Sequence, residues 1–163
     1  MWGSDVSSVA SSVINVGPLK GGIGLERVQV QDLGAIHRLL ASASLPYEDI
    51  TEGLLQNFLV GRSDRIIGVV ALERYQDVAL LRSLAVAKEH SGVGIGKQLV
   101  VAAERLAAEM KIKSIFLLTT TADRFFEGLG YRRLPRDQAP LTIRGSNQFA
   151  SLCPASAVLM VKP

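Results

Sequence analysis

The residues Ser91-Gly92-Val93-Gly94-Ile95-Gly96 place a glycine at every second position just before a run that reads as a long helix. A helix start leaves up to four backbone N–H groups without intrahelical partners, and the macrodipole adds partial positive charge there. A phosphate can therefore bind without any cationic side chain. Glycine lets the backbone approach such an anion closely and reach positive φ at low steric cost. Two nucleotide loops fail on spacing. A Walker A loop needs GxxxxGK followed by Ser or Thr, but aligning Gly96-Lys97 puts Ser91 at the first glycine and Gln98 at the hydroxyl position. A Rossmann fingerprint needs GxGxxG after the first strand of a parallel unit, whereas this GxGxG follows a strand in an antiparallel run. The bland alternative is a tight strand-to-helix turn with no ligand, and the flanking elements favour the anion over it.

Other chemistries are narrowed by what surrounds this run. The lone Cys153 excludes an internal disulfide and a CxxC metal site, is compatible with a reducing compartment, and makes the cytoplasm the expected location. No histidine follows Cys153, so it reads as a small buried residue rather than a nucleophile. His37 and His90 make no metal cluster, and no metal is expected. The net charge of +3 comes from scattered Lys and Arg with no basic block, which argues against nucleic acid and is compatible with an acidic small-molecule cofactor. The longest apolar stretches, residues 66–72 and 78–81, fall far short of the roughly 18 to 20 residues that span a bilayer, so no membrane partner is expected.

The elements that must carry these residues follow from periodicity. With 163 residues, 48% of them hydrophobic, the chain has room for one core. Residues 1–24, rich in Ser, Val and Gly, read as a mobile N-terminal extension with a short ordered piece near residues 13–16. Residues 25–163 then form a single domain. Within it, residues 25–30 are extended, residues 31–43 are helical, and a second short helix covers residues 53–57. Residues 58–61, 65–75 and 78–87 read as an antiparallel meander. An amphipathic helix over 94–110, a strand over 114–120 and a helix over 121–128 follow, the last closed by Gly130 as a left-handed cap. Strands at 131–134 and 157–161 enclose a polar loop. The expected class is α/β (α+β), with a mixed, mostly antiparallel sheet and helices on both faces.

In this context the run resembles motif A of the GNAT superfamily of N-acetyltransferases, Gln or Arg, two residues, Gly, one residue, then Gly or Ala. Here it reads Ser91, Gly92-Val93, Gly94, Ile95, Gly96, with Ser91 in place of the leading Gln or Arg. The resemblance extends from about Leu25 to the C-terminus, and the segment Ala79-Leu80-Leu81-Arg82-Ser83-Leu84-Ala85-Val86-Ala87 looks like the family's strand before motif A. It implies a strand splayed from its parallel neighbour at 114–120, with acetyl-CoA as cosubstrate in the gap. A narrower likeness, carried by LLRSLAV, LLTTTADRFFEGLGYRR and SLCPASAVLMVK, is to the subgroup associated with arsenic-resistance operons. Direct arsenic binding is disfavoured, because soft trivalent arsenic prefers several thiolates.

The same resemblance implies roles for individual residues. Backbone groups of Leu84, Ala85 and Val86 would border the pantetheine, and the N–H groups of Ser91, Gly92, Val93, Gly94, Ile95, Gly96 and Lys97 would hold the pyrophosphate. Thr119, Thr121 and Phe125 would line the cofactor from the next strand and helix, Thr121 also serving as an N-cap. Direct transfer requires a deprotonated amine, a stabilised oxyanion and a protonated leaving thiolate. Glu73 is the first choice of base, with Glu48 and Asp49 behind it. Its alternative is a solvated strand-end charge paired with Arg74 or Arg82. The family's usual acid is a tyrosine in a Phe-Tyr pair, but here the pair is Phe125-Phe126, which leaves Tyr131 as the proposed acid or, alternatively, a core aromatic. Tyr47, Arg82 and Arg144 are the expected acceptor contacts, the two arginines suggesting a carboxylate or similar anion. The expected function is acetyl transfer to the amine of a small molecule, an amino acid or its analogue. The competing readings are a CoA-binding or acyl-CoA-sensing protein with little catalysis, and an interaction module. The oligomeric state stays open, a homodimer included.

Overall fold

The computed structural model describes residues 22–163. The ordered piece expected near residues 13–16 lies outside the described residues. Strand β1 is Gly24–Arg27 and helix α1 is Leu33–Ser42, entered through a 3-10 turn at Val30–Asp32. A further 3-10 turn at Glu52–Asn57 leads into β2 (Phe58–Arg62), β3 (Ile66–Tyr75) and β4 (Val78–Val86). Helix α2 is Ile95–Glu109, β5 is Ser114–Thr119, α3 is Asp123–Glu127 and β6 is Arg132–Leu134. The late segment expected as a polar loop contains α4 (Leu141–Arg144) and a π turn at Gln148–Leu152 before β7 (Val158–Lys162). Four- and five-residue turns of helix are too short to register a 3.6-residue period, which explains why they read as loop.

The sheet order is β1-β2-β3-β4-β5-β7-β6. The pairs β1/β2, β2/β3, β5/β7 and β6/β7 are antiparallel, and β4/β5 is parallel. This is the mixed, mostly antiparallel sheet with one central parallel pair that the sequence predicts. The parallel ladder joins Val78, Ala79 and Leu80 to Ser114, Ile115 and Phe116, and β4 runs on to Val86.

The described residues divide into two compact units. The first runs through Ala71 and includes Ser83–Ala102, and the second comprises Leu72–Arg82 and Ala103–Pro163. Each has its own apolar core. In the first, Ile36 and Leu40 of α1 pack with Ile50, Phe58, Val60, Val69 and Ala85. In the second, Leu80, Phe116, Ile143, Leu159 and Val161 form the cluster.

Two backbone features shape the units around β4. Gly68 of β3 lets α2 lie close, because a Cβ there would stand 2.8 Å from Cδ1 of the fully buried Leu99. Ser83 has φ of 59° inside a strand. A non-glycine residue in the left-handed region is strained by roughly 1 to 2 kcal/mol and interrupts the two-residue alternation of side chains. It falls directly between Arg82, buried in the second unit, and Leu84, half-buried in the first.

Candidate active site

In the first unit, β4 ends at Val86, and the N–H of Ala87 donates to the Ile67 carbonyl at 2.7 Å, fixing the strand end against β3. Ala85 is buried, while Leu84 and Val86 are half-buried on the alternate positions. A short 3-10 turn, Lys88–His90, then leads into the glycine run. Gly92 and Gly94 have φ of 82° and 92°, the left-handed conformation in which glycine avoids the Cβ penalty. A Cβ at Gly92 would meet nothing within 4 Å, so the constraint there is conformational and the surface beside it is open. Ser91, Gly92, Val93, Gly94 and Lys97 are exposed, Gly96 is half-buried, and Ile95 is buried and seats the helix start. The Gln98 N–H donates to the Gly94 carbonyl at 3.1 Å, so the first turn is formed from Gly94 onward. The Ser91 hydroxyl donates to the Lys88 carbonyl at 2.8 Å, capping the preceding turn. The Ser91 N–H also donates to the Lys88 carbonyl, at 3.2 Å, so the loop offers an anion the amides that follow Ser91, with Lys97 as an exposed cation beside them.

Tyr47 lies in the same unit, half-buried, with its ring 5.4 Å from that of His37. His37 Nε2 lies 2.8 Å from the Ile50 carbonyl, so the ring ties α1 to the segment that holds Tyr47. Glu48 is exposed on this segment.

In the second unit, Thr119 accepts at Oγ1 from the Ala122 N–H at 2.9 Å, whereas the cap was expected from Thr121. Ala122, not Thr121, is the N-cap residue of α3, and no side chain caps the helix; the Thr119 hydroxyl bonds the N–H of Ala122 itself and so braces the turn that leads into it. Thr121 is exposed. Phe125, 40% exposed, stands edge-on to the buried Phe126 with ring centroids 5.0 Å apart.

Tyr131 is 3% exposed and packs edge-on against Phe126 at 5.5 Å, with Lys162 Nζ 5.6 Å above its ring. Lys162 in turn binds Glu104 at 2.7 Å and the Leu129 carbonyl at 2.8 Å. The phenol is buried and makes no hydrogen bond among the described residues. Burial, and secondarily the Glu104 carboxylate, hold its pKa well above the ordinary tyrosine value. Such a phenol keeps its proton, and transferring it to a thiolate is uphill. This setting is that of a core aromatic and weighs against the proton-donor role.

Glu73 and Arg82 are brought together. Arg82 Nη1 lies 3.6 Å from Glu73 Oε1, with side chains 2% and 16% exposed respectively. Of the two pairings open to Glu73, the structure contains the one with Arg82, while Arg74 donates from Nε to the Gln76 carbonyl. Arg144 does not join them as a free cation. Its Nε donates to the Ala139 carbonyl at 2.9 Å and its Nη2 to the Asp137 carbonyl, so the guanidinium braces α4 against the preceding turn. A residue with no local sequence signal does join Arg82. The buried Gln148 amide faces the guanidinium, and because a guanidinium only donates, the amide oxygen is assigned to that side, where it accepts from Nη2 at 2.9 Å and Nε at 3.1 Å. An arginine inside the apolar run LLRSL requires buried partners, but nothing in the sequence says that one of them is Gln148.

Cys153 follows the π turn, half-buried, with Sγ 3.0 Å from the other arm of the Gln148 amide. Desolvation raises its thiol pKa against the smaller opposing effects of Arg82 and Arg136. Among the described residues no helix is long and apolar enough to cross a membrane.

Comparison with known proteins adds an independent line. Residues 55–133 match the model of the Acetyltransferase (GNAT) domain. An uncharacterized N-acetyltransferase of Chlorobaculum tepidum is 33% identical over 97 residues, which cover 59% of this chain and 62% of that protein. The chain therefore matches a little under two thirds of the length of this curated relative. Among solved structures, Rv2747 of Mycobacterium tuberculosis, in complex with CoA and NLQ, superposes with a TM-score of 0.73 at 20% identity, covering 84% of this chain and 96% of that one. N-acetylglutamate synthase of Neisseria gonorrhoeae, with coenzyme A and L-arginine, gives 0.74 at 20% identity over 86% of this chain but 32% of that one. PaiA N-acetyltransferase of Thermoplasma acidophilum, with coenzyme A, gives 0.61 at 17% identity over 86% and 98%. At these identities the structures establish a shared fold.

Proposed function

Starting from the GNAT acetyltransferase domain that residues 55–133 match, we propose that the chain is an acetyl-CoA-dependent N-acetyltransferase acting on the amine of a small acceptor, an amino acid or its analogue. The observation that carries this reading is the glycine turn, where two left-handed glycines feed a 15-residue helix. The first N–H groups of such a helix lack intrahelical partners, and they suit a pyrophosphate. The open surface at Gly92 fits a ligand held by main chain. Structural neighbours solved with CoA support the same cosubstrate.

Bound there, acetyl-CoA would supply an activated thioester carbonyl. The amides from Gly92 to Lys97 would hold its pyrophosphate, the Ser91 N–H being committed to the Lys88 carbonyl, and the main chain of Leu84, Ala85 and Val86 its pantetheine. The resemblance to the GNAT family assigns Thr119, Thr121 and Phe125 to the same cofactor. The Leu84 and Val86 amides would donate to the carbonyl oxygen as negative charge develops, a task that depends on no side chain. Glu73 would take the proton from the attacking amine, and Arg82 beside it would favour an acceptor that carries an anion. We leave Tyr131 outside the proton path, because its phenol is buried and proton-bound; when the tetrahedral intermediate collapses and the C–S bond breaks, CoA leaves as its thiolate and takes its proton from solvent water.

Isothermal titration with acetyl-CoA and CoA tests the cofactor, and absence of binding by both overturns this reading. Release of free thiol over a panel of amino acids and their phosphinic or arsonic analogues tests the chemistry. The second reading, a CoA-binding protein with little catalysis, is favoured by Phe126 standing where the family has its tyrosine. Cofactor binding with no amine-dependent thiol release would select it. Placement in the arsenic-operon subgroup rests on the segments LLRSLAV and SLCPASAVLMVK. Its test is whether expression protects cells against an arsenic-bearing amino acid analogue.

A further inference from the structure

Three groups from separate segments of the second unit converge on one ammonium. Lys162 Nζ, on β7, donates to both carboxylate oxygens of Glu104 on α2, at 2.7 and 3.2 Å, and to the Leu129 carbonyl at 2.8 Å. These bonds match its three N–H donors. The same nitrogen stands 5.6 Å from the centre of the Tyr131 ring. Gly130 permits the approach, with φ of 96° and a position at which a Cβ would stand 3.3 Å from Lys162 Cε.

Tyr131 is the first of three rings in a row. Its ring meets that of Phe126 at 5.5 Å and 73°, and Phe126 meets Phe125 at 5.0 Å and 80°. Both contacts are edge-to-face, the geometry favoured by the aromatic quadrupole, so each ring constrains the tilt of the next. Exposure rises along the row from 3% at Tyr131 and 5% at Phe126 to 40% at Phe125. The row begins at a cation and ends at a ring open to a ligand. The Tyr131 phenol has no partner among the described residues, so what this position contributes is its ring.

Helix α3 needs such support, because its five residues are far too few to hold a helix alone. The N–H groups of Leu129 and Tyr131 both donate to the Phe126 carbonyl at 3.0 Å, which joins the turn gripped by Lys162 to the middle of the row. On the other flank Arg133 pairs with Asp123 and Glu127, but its side chain is 56% exposed, and such pairs contribute little. Lys162 and Glu104 are better shielded, at 34% and 19%.

We infer that Lys162 is a positioning residue for the cofactor. Its ammonium seats the Tyr131 ring, Tyr131 sets the tilt of Phe126, and Phe126 sets that of Phe125, which the resemblance to the GNAT family assigns to acetyl-CoA. The inference rests on the reading of the chain as acetyl-CoA-dependent and adds a residue that acts through others. Without the grip Phe125 samples several tilts, and binding must first order it.

Calorimetric titration of the full chain with acetyl-CoA tests this. Phe125→Ala should weaken binding by about tenfold, as an aromatic contact is lost. Lys162→Met should weaken it by about fivefold, the scale of ordering one side chain. The double variant should bind no more weakly than Phe125→Ala, because Lys162 acts through that ring, whereas a merely structural loss would add to it. Tyr131→Leu should match Lys162→Met, and Tyr131→Phe, which keeps the ring, should restore the parental affinity. Tyr131→Leu leaves the ion pair intact and decides the matter should Lys162→Met fail to fold in chemical denaturation. Additive losses, parental affinity in Lys162→Met or Tyr131→Leu, or weakened binding in Tyr131→Phe would each overturn the inference. Parental affinity in Phe125→Ala overturns it while the cofactor reading stands. A parent chain that binds neither acetyl-CoA nor CoA overturns both.

Discussion

The turn before α2 and the cluster around Arg82 lie on either side of Ser83, and they are built from different materials. The turn recruits main chain. Its glycines adopt left-handed φ, its one hydroxyl is committed to the Lys88 carbonyl, and what it offers is a row of amides. The cluster recruits side chains, with Glu73, Arg82, Gln148 and Cys153 arriving from β3, β4, a π turn and the residue beyond it. A main-chain site tolerates changes of residue type that preserve φ, while a side-chain site tolerates changes of φ only as far as they keep atoms in place. Mutations should therefore sort by conformation in the first region and by chemical group in the second.

The harshest break is Arg82→Met. It strands the Glu73 carboxylate beside an apolar chain and should cost about 3 kcal/mol of stability in chemical denaturation, the scale for removing one member of a buried pair. Arg82→Lys should cost less, since the charge survives and the fork is lost. At the strained strand residue, Ser83→Val should destabilise by about 2 kcal/mol, because a β-branched residue is a poor occupant of positive φ. Ser83→Gly should stay within about 0.5 kcal/mol of the parent, flexibility offsetting relief of strain. In the turn, Gly94→Val should weaken acetyl-CoA binding by about tenfold in calorimetry, the affinity equivalent of roughly 1.4 kcal/mol of backbone strain. Ser91→Ala should change it by less than about twofold, as its hydroxyl faces the Lys88 carbonyl. A larger effect at Ser91 than at Gly94 would dissolve the contrast.

Smaller effects sharpen it. Tyr131→Phe removes a buried hydroxyl that has no partner among the described residues, so Tm should hold or rise and kcat should change by less than about threefold. A fall of about a hundredfold, the scale of general acid catalysis, would restore the phenol to the proton path. The last test concerns pH. The Cys153 thiol pKa is raised in the folded protein, so its contribution to stability is complete below the unfolded value of about 8.5 and is lost as pH rises through the higher folded value. Cys153→Ala should flatten that alkaline decline in a denaturation series, and alkylation of the native thiol should be slow at neutral pH.

The two regions also differ in how far they can be read from sequence. The turn is local, and its spacing alone places the helix start within one residue of the Ile95 observed. The strands of the meander and their antiparallel order are equally local, being runs of branched residues between turn signals. The cluster depends on contacts between distant segments. A buried arginine announces that partners exist, but the partner Gln148 lies in a stretch whose helical turns are too short to show a period. Ser83 is illegible for another reason, since serine carries no preference for positive φ that would mark it as glycine or asparagine would. Thr119 and Thr121 show the limit at finer scale. Both can cap a helix start, yet the strand's exit path makes Ala122 the N-cap residue and leaves Thr119 bonded to its N–H.

One consequence of the sheet order concerns biosynthesis. Strand β7 comes after β6 in the chain yet lies between β5 and β6, pairing Ile115 with Lys162 on one side and Arg132 with Val161 on the other. A polypeptide emerging from the ribosome must therefore hold β5 and β6 as exposed edges until residues 158–162 have cleared the exit tunnel, and such edges are templates for pairing with other chains. A nascent chain whose residues 158–162 are still inside the tunnel should be the species that engages chaperones, while one from which they have emerged can set β7 between β5 and β6 and release them.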